Sequence, residues 1–433
     1  MDTKLLAGWV STALITALAM PAQAGALRVG VGKVSITPPP EIFPYVAHGE
    51  RDFVGVHDDI YARALVIDDG QRRVAIVVAE VTKIPEPDRL LADIAHRAGI
   101  PASNVLLAAS HTHVVPLFSY HGGDPNPSEQ REIARLSRGT LEAVDQALHN
   151  FQSAQVSFGR GTGWVNVNNG EQAGLTKNYD PQGPSDKTLD LVRFSTPNGA
   201  PLALLINYAT HGEVMFRSVT KNGGYQVSGD IPGAVSHLLE TQPGPAPVVL
   251  FSSAAEADQL TLFKSLQPAG KLPATDEGAA GWALLDVQAR RLAASAQEIL
   301  DAMPAGTSQV QIAAAQGTAV CPGQQWRRDP NGGAATVEDR PDVSMPLTAF
   351  RINDIVIAGV GGDVGSDIGR AFKAASPWPH TTLVTMTAGA VGYIFPDASY
   401  EHPGHGLMGS PLKPHCAETA VVHGLIDLLN EKP

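Results

Sequence analysis

Two short apolar runs of this chain each lead into a histidine. The run Val105–Ala109 is followed by His111 and His113, and the run 202–206 is followed by His211. A run of five apolar residues between polar ones is typical of a buried β-strand, so each histidine stands where a predicted strand ends. Imidazoles are good metal ligands. The two runs therefore predict a metal site rather than scattered histidines.

Paired strands alternate with helices along the chain. Turn residues such as Asp-Gly and Asn-Gly separate paired apolar runs, which predicts a first strand at 27–36 and hairpins at 62–79, 189–206 and 347–360. Apolar residues three and four positions apart predict helices at 87–97, 128–151, 276–303, 364–375 and 417–429. Polar, glycine-rich stretches predict long loops over the strand ends at 164–184 and 322–341. The fold class is therefore predicted to be α/β, with mixed β-sheets flanked by helices.

The first 24 residues have the pattern of a signal peptide. Lys4 supplies the positive start, residues 5–20 the apolar core, and Ala22-Gln23-Ala24 the cleavage site. We expect cleavage after Ala24 and a periplasmic or secreted protein. The apolar core is too short for a membrane anchor of ordinary length, and no later stretch is apolar enough to span a bilayer stably.

Residues 25–433 exceed the usual size of one hydrophobic core, yet no linker or repeat divides them. One large unit and two domains both fit this length, and we interpret the range as a single domain. Its oligomeric state stays open.

Charge and cysteine content bound the partners. The formal net charge is −12 without a basic stripe, which argues against nucleic acid and anionic membrane surfaces as partners. Cys321 and Cys416 are the two cysteines of the chain. In an oxidising compartment they could pair and stabilise the fold by roughly 4 kcal/mol. Two separate buried thiols are the alternative.

Further segments combine an apolar strand, a sharp turn and a side chain that can bind metal. They are 359–363, ending in Asp363, and 390–394, containing Tyr393. Together with the two histidine segments they resemble the N-terminal catalytic region of the neutral ceramidase family. That family carries T-H-T-H-S-G-P, A-T-H-P-T-S-M, P-G-E and G-Y-I/V-T-T segments in this order. The residues Ser228-Gly229-Asp230 and 29–37 are similar to its S-G-D element and its G-V-G-x-x-x-I-T start.

The resemblance implies one Zn²⁺ ion bound by His111, His211, Asp363 and Tyr393. His113 would then be a catalytic residue that polarises the substrate carbonyl or orients the nucleophile. Zinc lowers the pKa of a bound water. The implied function is a secreted zinc-dependent hydrolase that cleaves an amide bond through a metal-activated water. Because side chains alternate along an extended chain, His113 rather than His111 remains an alternative ligand.

The expected substrate is a small-molecule or lipid-like N-acyl compound, with ceramide one case among several. Several family positions differ here. Asp363 replaces a longer glutamate, and Leu260 stands where the family's G-D-x-S-P segment has serine, although Asp258 is retained as a catalytic candidate. The positions that align with a substrate-binding arginine and tyrosine hold Asn169 and His405. We also expect a short form without the family's C-terminal β-sandwich.

Two other functions fit parts of the pattern. TIM-barrel amidohydrolases also begin with H-x-H at a strand end, but that pair normally ends their first strand, and about three predicted strands precede it here. A non-catalytic extracytoplasmic binding protein on the same scaffold is the other alternative. The departures at Leu260 and Asn169 favour it, and the retention of all four implied metal ligands argues against it.

Overall fold

The computed structural model describes residues 24–45, 52–116, 125–170, 179–221, 223–265, 278–327, 336–401 and 406–430. Residues 1–23 of the predicted signal peptide and the predicted site residue His405 lie outside these ranges.

Within the described ranges, the strands are β1 (Gly25–Ala26), β2 (Arg28–Ser35), β3 (Phe53–Val56), β4 (Tyr61–Asp68), β5 (Arg73–Ala79), β6 (Val105–Ala109), β7 (Gln152–Ser153), β8 (Gln155–Thr162), β9 (Asn166–Asn168), β10 (Thr188–Ser195), β11 (Pro201–Tyr208), β12 (Tyr225–Val227), β13 (Val248–Ser253), β14 (Gln259–Thr261), β15 (Gln309–Val310), β16 (Ile312–Arg327), β17 (Thr336–Ile352), β18 (Ile355–Val360), β19 (Asp363–Val364), β20 (His380–Val384) and β21 (Tyr393–Ile394). The α-helices are α1 (Pro87–Ala98), α2 (Pro127–His149), α3 (Asp230–Glu240), α4 (Gly278–Ala302), α5 (Ser366–Ala375) and α6 (Ala417–Asn430). Short 3₁₀ helices lie at Pro40–Ile42, Ala102–Asn104, Asp397–Tyr400 and Leu407–Gly409.

Three sheets are built on one plan. Their strand orders are β6-β5-β4-β2-β7, β13-β11-β10-β8 and β16-β17-β18-β20. In each sheet an antiparallel hairpin leads through a helix to a strand that pairs in parallel with the hairpin's second strand; the units are β4-β5-α1-β6, β10-β11-α3-β13 and β17-β18-α5-β20. A parallel pair requires such a crossover. The crossover brings the carboxyl ends of two strands to the same edge of each sheet.

The inner faces of the three sheets meet in a common apolar core. Ile76 of β5, Leu205 of β11 and Ile357 of β18 all belong to it. Helices cover the outer faces, with α1 and α2 on the first sheet, α3 and α4 on the second, and α5 and α6 on the third. Burial on both faces explains why the central strands are continuous apolar runs.

The last strands of the three units converge at their carboxyl ends. Ala109 N donates to Met386 O at 3.3 Å, which joins β6 to the segment after β20. Thr385 N donates to Ser253 O at 2.9 Å, which joins that segment to β13. Ser253 Oγ donates to Ser110 O at 3.0 Å and closes the ring. The loops that leave these strands therefore meet in one place.

The predicted hairpins and helices are confirmed, with small shifts at their ends. The predicted loop at 322–341 is wrong in its described parts, because β16 runs to Arg327 and β17 begins at Thr336. The two strands form a long antiparallel ribbon in which Gln324 pairs with Asp339. Most side chains of β17 on this ribbon are exposed, so the residues stay polar while backbone hydrogen bonds hold the strands. The stretch 164–184 contains β9, and its residues 171–178 lie outside the described ranges.

Cys321 and Cys416 form a disulfide with a Cα–Cα distance of 5.8 Å. It joins β16 to the start of α6, so the paired alternative is correct. Among the described helices, none has the length and apolar character needed to cross a membrane.

Candidate metal centre

Three histidines lie together where β6 and β11 end. His111 and His113 follow β6, and His211 follows β11. A parallel bridge between Thr112 and Gly212 and a hydrogen bond from His113 N to Gly212 O at 2.8 Å join the two loops. The ring centroids of His111 lie 4.7 Å from His113 and 4.8 Å from His211. The structure thus brings together the three histidines that the sequence singled out.

The backbone at His111 is strained. Its φ of 61° lies in the left-handed region, which a histidine adopts at a cost of roughly 1–3 kcal/mol. Backbone hydrogen bonds hold the turn, from Ser110 N to Ala79 O at 2.9 Å and from His111 N to Val81 O at 3.1 Å. These bonds hold the left-handed turn beside the end of β5.

The rings of His111 and His211 are fixed through their Nδ1 atoms. His111 Nδ1 lies 2.8 Å from Glu256 Oε1, and His211 Nδ1 lies 2.9 Å from Gln259 O. Acceptors at Nδ1 select the tautomer with a free Nε2 lone pair. His111 Nε2 is 3.1 Å from His113 Nε2. The Nε2 atoms are therefore the available ligand atoms.

Asp363 supplies a buried carboxylate to the same point. It begins β19 and is 4 % exposed, and within the described part of the chain neither carboxylate oxygen has a hydrogen-bond partner. Oδ2 is 3.4 Å from His211 Nε2. An ionised carboxylate buried without hydrogen bonds is costly unless a cation neutralises it. These residues therefore fit a bound divalent metal ion.

Glu256 is a site residue that the sequence predictions missed. It follows β13 and is fully buried, and no residue that the structure describes forms a hydrogen bond with its Oε2. One ligand atom each from His111, Glu256 and Asp363 lies within 4.8 Å of the others, and the same holds for His111, His113 and His211. The available signal was a lone carboxylate between alanines, three residues after a buried strand.

The centre carries an excess of negative charge. Burial raises the pKa of Glu256, and its hydrogen bond with His111 offsets only part of this effect. Burial opposes a charge on His211, but the carboxylates of Asp363, Glu256 and Glu213 outweigh it and raise the pKa of His211 to about 10. A field that favours an imidazolium here also favours a metal cation.

A family model described as neutral/alkaline non-lysosomal ceramidase, N-terminal, matches residues 27–256. This match covers more than half of the chain. The chain belongs to the neutral/alkaline non-lysosomal ceramidase family.

Two solved ceramidase structures are similar to the whole described fold. Neutral ceramidase from Pseudomonas aeruginosa aligns with a TM-score of 0.72 at 16 % identity, over 93 % of this chain and 74 % of that one. A ceramidase complexed with C2 aligns with a TM-score of 0.73 at 16 % identity and with the same coverage. The predicted fold class is confirmed. The TIM-barrel alternative is wrong, because the described strands form several open sheets rather than one eight-stranded parallel barrel.

Tyr393, a ligand position in the ceramidase resemblance, lies beside Asp363. The two residues are partners in the parallel pair β19-β21, and such partners point to the same face of a sheet. The Tyr393 ring stacks on Phe395 with centroids 5.4 Å apart, and Tyr393 O accepts a hydrogen bond from Ser410 Oγ at 2.9 Å. Its role as a metal ligand stays a prediction.

Asp258 lies close to the centre but contacts the first turn of α5. Its Oδ1 accepts from Ser366 N at 2.8 Å, and its Oδ2 accepts from Ser366 Oγ at 2.8 Å and from Asn168 Nδ2 at 3.3 Å. Burial raises the pKa of Asp258, and these hydrogen bonds lower it. The catalytic role of Asp258 stays a prediction.

The remaining positions singled out from the sequence are Asn169, Leu260 and His405. Asn169 is 5 % exposed, and its Nδ2 donates to Ala257 O at 3.2 Å, so its amide holds the protein's own backbone. Leu260, which replaces the family serine, is a buried member of β14 opposite Val167. His405 lies outside the described residues. The substrate-binding roles of Asn169 and His405 stay predictions.

The S-G-D element organises the loop after His211. Asp230 Oδ1 accepts from Val214 N at 3.1 Å, and its Oδ2 accepts from Met215 N at 3.0 Å. These bonds fix the segment that follows His211, so the motif has a structural role.

Proposed function

We propose that this member of the ceramidase family is an extracytoplasmic, zinc-dependent hydrolase of N-acyl compounds. The observation that carries the proposal is the Asp363 carboxylate, which is buried without a hydrogen-bond partner from the described ranges and lies 3.4 Å from His211 Nε2. The nearby His111 ring is fixed so that its Nε2 is also available.

Zinc suits this donor set better than a purely oxygen-binding metal. Two imidazoles and a carboxylate are ordinary zinc ligands, and catalytic zinc sites use three protein ligands and keep an open position. Tyr393 is the further ligand that the family resemblance implies. A zinc ion held by these residues would supply Lewis-acid polarisation of a substrate carbonyl and would lower the pKa of a water bound to it.

His113 is the proposed proton carrier. Its backbone N is tied to Gly212 O at 2.8 Å, its Nε2 faces the His111 ring, and the side chain is only partly buried. An imidazole in this place can hold a proton at Nε2 and deliver it to the nitrogen of the leaving amine. The ring of Phe216 contacts His113 edge-on, with centroids 5.4 Å apart, and gives this side of the site an apolar wall.

Apolar surface near β9 and β14 supports a lipid-like acyl group. The ladder continues through a hydrogen bond from Leu262 N to Val165 O at 2.8 Å, which places Trp164 opposite Phe263. These two side chains are 52 % and 50 % exposed. We propose that this exposed aromatic pair contributes to a surface that receives the acyl group. The loss of the family's serine and arginine makes N-acyl compounds in general, rather than ceramide itself, the proposed substrate class.

The extracytoplasmic location rests on the signal-peptide pattern of residues 1–24. The disulfide between Cys321 and Cys416 supports it, because such bonds persist mainly in oxidising compartments.

The proposal is tested by measuring zinc content and hydrolysis in the same samples. We expect about one zinc per chain in the mature protein, and loss of both zinc and chelator-sensitive hydrolysis of N-acyl substrates in His111→Ala and His211→Ala. His149→Ala is the control, because this exposed histidine lies at the end of α2 and bonds to Asp145 O of the same helix. A wild type without tightly bound metal would overturn the proposal. Zinc without turnover on a broad panel of amides and esters would favour the binding-protein alternative.

A further inference from the structure

The turn Glu256–Gln259 contacts the segments of three candidate ligands, His111, His211 and Asp363. It follows β13 and closes with a hydrogen bond from Gln259 N to Glu256 O at 2.7 Å. Each of its four residues contacts a segment that carries a candidate metal ligand.

The first contact holds His111. Glu256 Oε1 lies 2.8 Å from His111 Nδ1, and the two side chains are 0 % and 5 % exposed. A carboxylate that accepts from Nδ1 fixes the ring orientation and raises the basicity of Nε2. Glu256 therefore acts on the metal through His111.

The second contact holds His211. Gln259 O accepts from His211 Nδ1 at 2.9 Å and from His211 N at 3.2 Å. The Gln259 side chain is itself anchored, because Oε1 accepts from Ser185 Oγ at 2.5 Å and Nε2 donates to Pro184 O at 3.3 Å. The same turn thus sets the tautomer of both histidines.

The remaining contacts bracket Asp363. Ala257 N donates to Val364 O at 3.0 Å, and both oxygens of Asp258 accept from Ser366. These bonds fix the chain one and three residues after Asp363. The position of the ligand carboxylate is therefore tied to the position of the histidines.

We infer that Glu256–Gln259 is a ligand-positioning turn, with Glu256 and Asp258 as positioning residues of the metal centre. The inference rests on the proposed function, since it assigns no role without the metal. The geometry of Glu256 supports this role, because its Oε1 holds His111 Nδ1 and its fully buried Oε2 has no hydrogen-bond partner among the described residues. A buried polar atom of this kind is costly unless a cation lies nearby.

The test compares zinc affinity in Glu256→Gln, Glu256→Ala and Asp258→Asn with the full-length mature wild type. Metal is removed with a chelator, and Zn²⁺ is titrated back against a competing chromogenic chelator. Outer carboxylates change metal affinity by about 10- to 100-fold. We expect a loss of about tenfold for Glu256→Gln, which keeps the acceptor, and about 100-fold for Glu256→Ala. Glu132→Gln is the matched control, because Glu132 is a buried carboxylate on α2 paired with Arg135.

Two further readouts separate positioning from a purely structural role. The Co²⁺-loaded variants should show altered visible absorption, because the ligand geometry changes. The melting temperature in excess chelator should not fall in Glu256→Gln, because glutamine keeps the oxygen that accepts from His111 Nδ1 and has a similar volume. A residue needed only for folding would lower this melting temperature and leave the absorption unchanged.

The outcomes are distinct. Equal zinc affinity and equal cobalt spectra for wild type and Glu256→Gln would overturn the positioning role. If Glu256→Ala does not fold, Glu256→Gln decides. A wild type that binds no Zn²⁺ would overturn both the inference and the proposed function. Normal zinc binding that depends on Glu256, without any hydrolysis, would leave the inference standing and remove the hydrolase proposal alone.

Discussion

Removal of the disulfide is expected to lower stability substantially while leaving the metal centre in place. The perturbation is the double substitution Cys321→Ala and Cys416→Ala, which avoids placing a hydroxyl in the apolar cluster around Cys321. The two cysteines are 95 residues apart. Closing a loop of that length reduces the entropy of the unfolded chain enough to stabilise the fold by about 4 to 5 kcal/mol in the chain-entropy model.

The native arrangement should survive the loss because other contacts hold the same segment. Gln324 N donates to Pro411 O at 2.8 Å, and Lys413 N donates to Pro322 O at 2.9 Å. Ser410, in the same segment, supports the backbone of Tyr393. We therefore expect zinc content and activity at 25 °C to stay close to those of the wild type.

The assay is urea unfolding of the oxidised wild type, the double variant and the wild type reduced with dithiothreitol. The double variant and the reduced wild type should unfold at similar urea midpoints, both lower than that of the oxidised wild type. In thermal unfolding the same loss of stability corresponds to a fall of roughly 5 °C in melting temperature for a domain of this size. Equal midpoints for the oxidised wild type and the double variant would refute the entropic argument. Loss of zinc at 25 °C in the double variant would refute the claim that backbone contacts suffice near Tyr393.

Two substitutions test the centre from other directions. In His113→Ala we expect zinc content to be retained and kcat to fall by about 10²- to 10⁴-fold, measured by metal analysis and steady-state kinetics; loss of zinc would instead make His113 a ligand. In Gly362→Ala the new Cβ would lie 2.5 Å from Ile394 Cδ1, which should push β19 away from β21, cost about 1–3 kcal/mol of stability and weaken zinc binding in the chelator competition. Gly424→Ala is its control, because Gly424 lies on α6, outside the candidate centre, and its new Cβ would lie 2.6 Å from Leu347 Cδ1 of β17. Equal zinc affinity in the two glycine variants would contradict the argument that separating β19 from β21 weakens zinc binding.

Part of the candidate site was visible before any fold was known. His111 and His211 follow apolar runs, and the end of a run marks the place where a strand gives way to a loop. Asp363 and Tyr393 needed the family resemblance, because each alone has a more common structural explanation. Glu256 was missed, since its importance depends on a contact with His111, 145 residues away along the chain. Asp258 was noticed, but its hydrogen bonds to Ser366 place it at the start of α5.

Local pattern determined the elements of this protein, and long-range pairing determined what they build. Apolar periodicity and turn residues predicted the hairpins and most helices because these features depend on neighbours a few residues apart. The sequence has no repeat that would predict three copies of the hairpin, helix and strand unit. The sequence predicts a loop where β16 and β17 form a polar ribbon, because backbone pairing rather than side-chain burial holds this ribbon together. The packing of three sheets around one apolar core brings their strand ends together. Two histidines and two carboxylates therefore lie at one buried point, and only the tertiary structure decided this.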